Sequence, residues 1–173
     1  MIFVSVGTHE APFDRMLHAV SALGRDEELV VQYGPSAVRC DRAVEFEYLS
    51  FDEVVGYIKE ARAVVMHAGV GSVMIALANG KRPIVMARRR EFGEHVDDHQ
   101  VELARRLESN GLVNLVEDLQ ELKAALSRDA ESPGRMVGVP WLGDDLGTYL
   151  EEHLGAPRPR DELSARRSLR QTG

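Results

Sequence analysis

Short apolar runs alternate with segments of helical period along most of this chain. Ala63–Met66 and Pro83–Met86 are apolar throughout, Ile2–Val6 is so but for Ser5, and Glu28–Tyr33 and Leu112–Val116 are largely so, while Val44–Leu49 alternates in character. Short, Val-rich runs without strict alternation predict strands buried on both faces, as in a parallel sheet. Between them, Phe13, Met16, Leu17, Val20 and Leu23 recur with the spacing of one helix face. Ser50-Phe51-Asp52-Glu53 has the form of a capping box, with Ser50 as N-cap of a helix over 51–61. Val101, Leu103, Ala104 and Leu107 form the apolar face of a further helix that begins near Asp97, and Gly111 caps it. Asp118 N-caps one more, which runs to about Arg128. Strand and helix thus alternate along most of the chain, the pattern of an α/β fold with a Rossmann-like parallel sheet flanked by helices.

The stretch from Ala63 to Gln100 carries the chemistry. After its first strand come His67, Ala68, Gly69, Val70, Gly71 and Ser72, a tight glycine turn. The helix behind it ends at Gly80, a natural C′ residue, and Pro83 opens the next strand. This is one βαβ crossover, and its turn sets Gly69, Gly71 and Ser72 at a helix N-terminus. Unpaired N–H groups there carry about half a positive charge and favour an anion. The pattern is not a dinucleotide fingerprint, because the third glycine is missing, which disfavours an oxidoreductase. Nor is it a Walker loop, since Lys81 follows the helix instead of opening it. After the second strand, seven of the ten residues from Glu91 to Gln100 are polar or charged. That segment occupies the carboxyl end of a buried strand, where open α/β sheets bind ligands. Glu94, His95, Asp97, Asp98, His99 and Gln100 suit sugar hydroxyls. His95 and His99 are spaced for one face of a helix, but no third ligand accompanies them, so no metal site is expected. Gly7 and Thr8 form a second strand-to-helix turn with exposed N–H groups. His9 beside them is a candidate base or ligand contact.

Composition narrows the classes. The chain has 173 residues, 44% of them apolar, enough for one domain with a sizeable core. A net charge of −7 argues against nucleic acid as a partner. The apolar runs are too short to span a membrane, and the first strand starts without a basic leader, so neither a span nor a secretory signal is expected. Cys40 is the single cysteine; it suits a reducing cytoplasm and has no local His to activate it. Past a break at Ser132-Pro133-Gly134, the residues Trp141, Leu142, Leu146, Tyr149, Leu150 and Leu154 suggest a terminal amphipathic helix. The domain is expected over 1–154, and 155–173, with five Arg and few apolar residues, is expected to be a disordered basic tail.

His67 to Ser72, followed by Ala76 to Gln100, resembles the nucleotide-sugar-binding half of GT-B glycosyltransferases, and within these the glycosyltransferase family 28 C-terminal domains. Val4 to Arg15 is similar to a second signature of the soluble, donor-binding subunit of two-part bacterial exopolysaccharide glycosyltransferases. The same segments resemble the soluble subunit of the dolichol-linked chitobiose GlcNAc transferase. The resemblance covers roughly residues 1–116. It implies a transferase that moves a sugar from a UDP-sugar to a lipid-linked acceptor. It implies that Gly7, Thr8, His67, Gly69, Gly71 and Ser72 meet the donor, chiefly its diphosphate. It further implies that Glu94, His95, Asp98, His99 and Gln100 meet the sugar or orient the loop, with His9 the candidate catalytic residue. No metal or other cofactor is implied, because helix N-termini can stabilise the leaving diphosphate. Larger relatives carry a ribose-binding Glu where this chain has Ile75, so the resemblance implies that ribose recognition differs here or comes from elsewhere, which leaves the nucleotide open. One half-domain implies a membrane-anchored acceptor subunit that recruits this cytoplasmic chain to the inner face of the membrane. The alternative is a non-catalytic nucleotide-binding or regulatory module on the same fold.

Overall fold

In the computed structural model, residues 1–23, 27–41 and 43–131 are described. Six strands, β1 (Ile2–Ser5), β2 (Leu29–Gln32), β3 (Val44–Phe46), β4 (Ala63–His67), β5 (Ile84–Met86) and β6 (Asn114–Leu115), form one sheet in the order β3-β2-β1-β4-β5-β6. Every pairing is parallel. Among the described residues five α-helices connect and flank them: α1 (Asp14–Ser21), α2 (Phe51–Glu60), α3 (Val70–Ala78), α4 (His99–Ser109) and α5 (Leu119–Glu131). This is the Rossmann-like fold that the apolar pattern predicts, and it confirms the expected fold class.

Strands β1, β2, β4 and β5 are buried along their whole length. Ile2, Val4, Val31, Val65 and Met86 pack with Met16, Leu17 and Val20 of α1 and with Leu122, Ala125 and Leu126 of α5 in one core. Phe3, on the opposite face of β1, stacks on Tyr57 of α2 at 5.6 Å. Burying such side chains contributes about 1.5–3 kcal/mol each, which is what selects a parallel sheet with both faces covered.

The helix boundaries show what local chemistry fixes. Ser50 Oγ accepts from the Glu53 amide and Glu53 Oε2 accepts from the Ser50 amide at 2.8 Å, so the capping box that opens α2 is complete. Asp118 Oδ1 accepts from the Glu121 amide at 2.9 Å ahead of α5, which continues three residues past Arg128. Gly80 and Gly111 take positive φ where α3 and α4 end. α4 starts later than its sequence suggests: Asp98 is its N-cap and His99 its first residue. His95 therefore lies before the helix, and His95 and His99 share no helical face. The terminal helix expected over 141–154 and the tail from 155 lie outside the described residues.

Candidate functional site

Strand order reverses between β1 and β4, which are both parallel and adjacent. In such sheets the crevice at the carboxyl ends of those two strands is where ligands bind. Three segments leave the sheet there: Gly7–Pro12 after β1, the His67–Gly69 turn after β4, and Ala87–Asp98 after β5. These are the segments singled out by sequence, now brought side by side.

The turn after β4 leads directly into α3. Gly69 is the N-cap and offers no side chain, and no acidic residue occupies the first turn. The first intrahelical bond is from the Val73 amide to the Gly69 carbonyl. The amides of Val70, Gly71 and Ser72 therefore have no intrahelical acceptor. The start of α2, by contrast, is closed by the reciprocal Ser50–Glu53 capping box.

His67, at the end of β4, is 8% exposed, and its Nδ1 has no hydrogen-bond partner. Burial first, then the charge of Arg88, push its pKa down to about 4, against a smaller opposing effect of the Ser5 backbone. At neutral pH the ring is uncharged. It is held between two glycines: a Cβ on Gly7 or on Gly69 would fall well inside van der Waals contact with it. Gly7 also has φ +80, which favours glycine. These two glycines therefore make room for an imidazole. Gly71 differs, because a Cβ there meets nothing within 4 Å.

Gly7 is fixed from below. Its amide donates to Ser5 Oγ at 3.2 Å and its carbonyl accepts from Gln32 Nε2 at 3.2 Å, both within buried surroundings. The expectation of an exposed N–H at Gly7 is thus corrected: the Ser5 hydroxyl takes it. Thr8 is exposed. His9 Nδ1 accepts from the Ala11 amide at 3.0 Å. Burial, Arg88 and His95 lower the His9 pKa, against Glu10. With Nδ1 occupied as an acceptor, the neutral ring carries its proton on Nε2. In this geometry His9 presents a hydrogen-bond donor, which suits a phosphate or sugar oxygen better than it suits proton abstraction.

The loop after β5 is tied down by its own charged residues. Both Glu94 oxygens meet Arg15, at 3.0 and 2.8 Å, and Oε2 also accepts from the Arg89 amide. Glu94 is 4% exposed, so it orients the loop and does not face the crevice. The Asp98 carboxylate accepts from the Arg90 amide at 3.0 Å, and Gln100 Oε1 accepts from the Arg88 amide at 3.3 Å. His95 lies against His9 with ring centroids 4.9 Å apart. Its Nδ1 is 3.0 Å from Asp97 Oδ1, while His99 Nδ1 is 2.9 Å from Asp97 Oδ2. One carboxylate bridges two imidazoles. Among the described residues no group of three His, Cys, Asp or Glu side chains is arranged to hold a metal ion. Cys40 is buried with its thiol pushed up to about 11, first by burial, and it stands apart from these loops.

Sequence reasoning passed over Arg88, which is fully buried and donates to the Val6, Ala11, Pro12 and Glu94 carbonyls. It also passed over Gln32. The one signal was the position of each, at or just past the end of a buried strand.

The family profile of the glycosyltransferase family 28 C-terminal domain matches residues 1–135. The chain belongs to this family. The UDP-N-acetylglucosamine transferase subunit ALG13 of Yarrowia lipolytica (strain CLIB 122 / E 150) is 40% identical over 62 residues, which are 36% of this chain and 29% of that protein. Among solved structures, a glycotransferase of kitacinnamycin superposes with a TM-score of 0.57 at 19% identity, over 76% of this chain and 35% of the other. That likeness is one of fold. The matched part is about a third of the length of each of these two proteins. As a family 28 C-terminal domain, the chain has the uncapped α3 start and the His67 cradle at the switch point of its sheet.

Proposed function

We propose that this chain is the donor-binding part of a UDP-sugar glycosyltransferase, with the diphosphate seated on the N-terminus of α3. One observation carries the reading: at the switch point of a family 28 domain, three helix-start amides are left without a cap beside a buried, neutral His67. Gly69, Gly71 and Ser72 would receive the diphosphate through backbone N–H groups. Thr8 and the Nε2–H of His9 would close over it from β1. His95, His99 and the free edges of Asp98 and Gln100 would face the sugar. Fixed N–H dipoles stabilise charge on a leaving diphosphate, so the proposed reaction needs no divalent cation.

The acceptor side is proposed to come from elsewhere. The relative in Yarrowia lipolytica is named as a subunit. No helix among the described residues is long and apolar enough to cross a membrane. We infer a membrane-anchored partner that binds a lipid-linked acceptor and recruits this chain to the cytoplasmic face, in polysaccharide or glycan assembly. Holding acceptor and donor in reacting geometry is worth on the order of 7–11 kcal/mol of barrier, which one half of a cleft does not provide. The chain alone should transfer negligibly, and adding its partner should restore transfer, with or without EDTA. Activity that EDTA abolishes and manganese or magnesium restores would overturn the metal-free reading. Full-rate transfer by the chain alone would overturn the two-subunit reading. A reconstituted pair that binds UDP-sugar and transfers nothing would favour a non-catalytic nucleotide-binding module.

A further inference from the structure

We propose that Arg88 is a positioning residue for this site: its buried guanidinium joins the Gly7–Pro12 loop to the Ala87–Asp98 loop and so sets where His9 stands and in which form. The geometry is specific. Arg88 Nη1 donates to the Ala11 carbonyl at 2.9 Å, to Pro12 at 3.2 Å and to Glu94 at 3.1 Å, while Nη2 donates to Val6 at 3.0 Å. Its guanidinium lies 4.6 Å over the Phe13 ring. Two segments about eighty residues apart in sequence are held by one side chain with no exposure.

Carbonyls alone do not require a charge, since a neutral amide can donate to them. A buried cation is costly unless it is well hydrogen-bonded, and here four carbonyls and the Phe13 ring surround it. Arg88 has no carboxylate of its own among the described residues. Glu94 favours its charged form from nearby, but both Glu94 oxygens are bound to Arg15 and Oε2 also to the Arg89 amide. Burial lowers the Arg88 pKa to about 10, so it stays charged at neutral pH. Its charge acts against protonation of both His9 and His67.

The form of His9 matters because its Nδ1 accepts from the Ala11 amide. A proton on Nδ1 would set two donors face to face and break that bond. The charge state of His9 and the shape of the Gly7–Pro12 loop are therefore one equilibrium, and Arg88 biases it twice, through the Ala11 carbonyl and through its field. The other charged groups facing His9 are His95, which opposes protonation, and Glu10, which favours it; Asp97 stands behind His95 and is shared with His99. What His9 does with its Nε2–H rests on the donor-site reading above, but its positioning does not.

The test uses the full ligand-free chain and follows histidine ring signals by NMR through a pH titration. Wild-type His9 should titrate below the ordinary imidazole value of about 6.5. Arg88→Gln removes the charge and keeps donors, so the His9 midpoint should move up. Arg88→Lys keeps the charge and loses the fork. The midpoint should stay low while exchange of the Ala11 amide speeds up by about tenfold or more, as loss of charged hydrogen bonds implies. An unchanged His9 midpoint in Arg88→Gln, with unchanged Ala11 exchange in Arg88→Lys, would overturn the proposal. If neither variant folds, a wild-type His9 midpoint at or above 6.5 would overturn it by itself. Since no ligand is present, failure to bind UDP would count against the donor site alone.

Discussion

His67 shows at single-residue scale how a buried polar group shapes its neighbours. Gly69→Ala should destabilise the fold by about 1–3 kcal/mol, because the new methyl meets the imidazole and a packed interior yields little. Adding His67→Ala should remove most of that cost, since Gly69 has an ordinary φ of −75. The same second change should rescue Gly7→Ala only in part, because φ +80 strains any Cβ there. Urea unfolding of the wild type, the three single variants and the two doubles checks both couplings. The same ring makes stability depend on pH. Unfolded, His67 binds a proton near pH 6.5; folded, it does so only near 4. Its neutral form is thus favoured by the fold, and the associated stability is complete above pH 6.5 and lost as pH falls towards 4. The slope approaches about 1.4 kcal/mol per pH unit, so about 2 kcal/mol should vanish between pH 6.5 and 5. His67→Gln should be flatter over that range. Equal slopes for the two proteins would contradict the buried, neutral imidazole.

At the scale of elements, the contrast between two helix starts carries the argument. Ser50→Ala should lower stability by about 1 kcal/mol, with a few degrees lost in Tm, because it opens a closed cap. α3 should respond in the opposite sense. Gly71 is the second residue of that helix and has open space beside its Cα. Gly71→Asp replaces a poor helix former with a carboxylate that suits the dipole, so stability should hold or rise by up to about 1–2 kcal/mol. UDP affinity should nevertheless fall about a hundredfold or more, since a carboxylate near 4 Å from a phosphate costs about 4 kcal/mol at an effective dielectric of 20. Calorimetry that finds a folded Gly71→Asp binding UDP as tightly as wild type would remove the diphosphate from α3.

Over the whole molecule, the sheet was legible because β1, β2, β4 and β5 are short apolar runs with a glycine or proline close to one end. The βαβ unit from Ala63 to Met86 appears with its turn, helix and Gly80 terminus where the pattern places them. Contacts formed across the fold were less legible. Arg88, Arg89 and Arg90 read alike as a charged run, yet the first is buried and the last exposed. What buries Arg88 is the approach of carbonyls from the other side of the crevice, which no local pattern announces. The start of α4 was displaced for a related reason. Asp97 and Asp98 look like the first turn of a helix, but Asp97 is drawn between His95 and His99 and Asp98 holds the Arg90 amide. Glu94 has a ligand's chemistry in sequence and a brace's position in the fold.

The central claim is that the donor sits at the switch point between β1 and β4. Amide NMR of the chain titrated with UDP tests it most directly. The account predicts saturable shifts at Val70, Gly71 and Ser72, at the His67 ring, and at Thr8 and His9, with the Ser50 cap of α2 and the α5 start at Asp118 unmoved. Binding that leaves the α3 amides unshifted while moving residues elsewhere, for instance Val101 and Arg105 on α4, would contradict it.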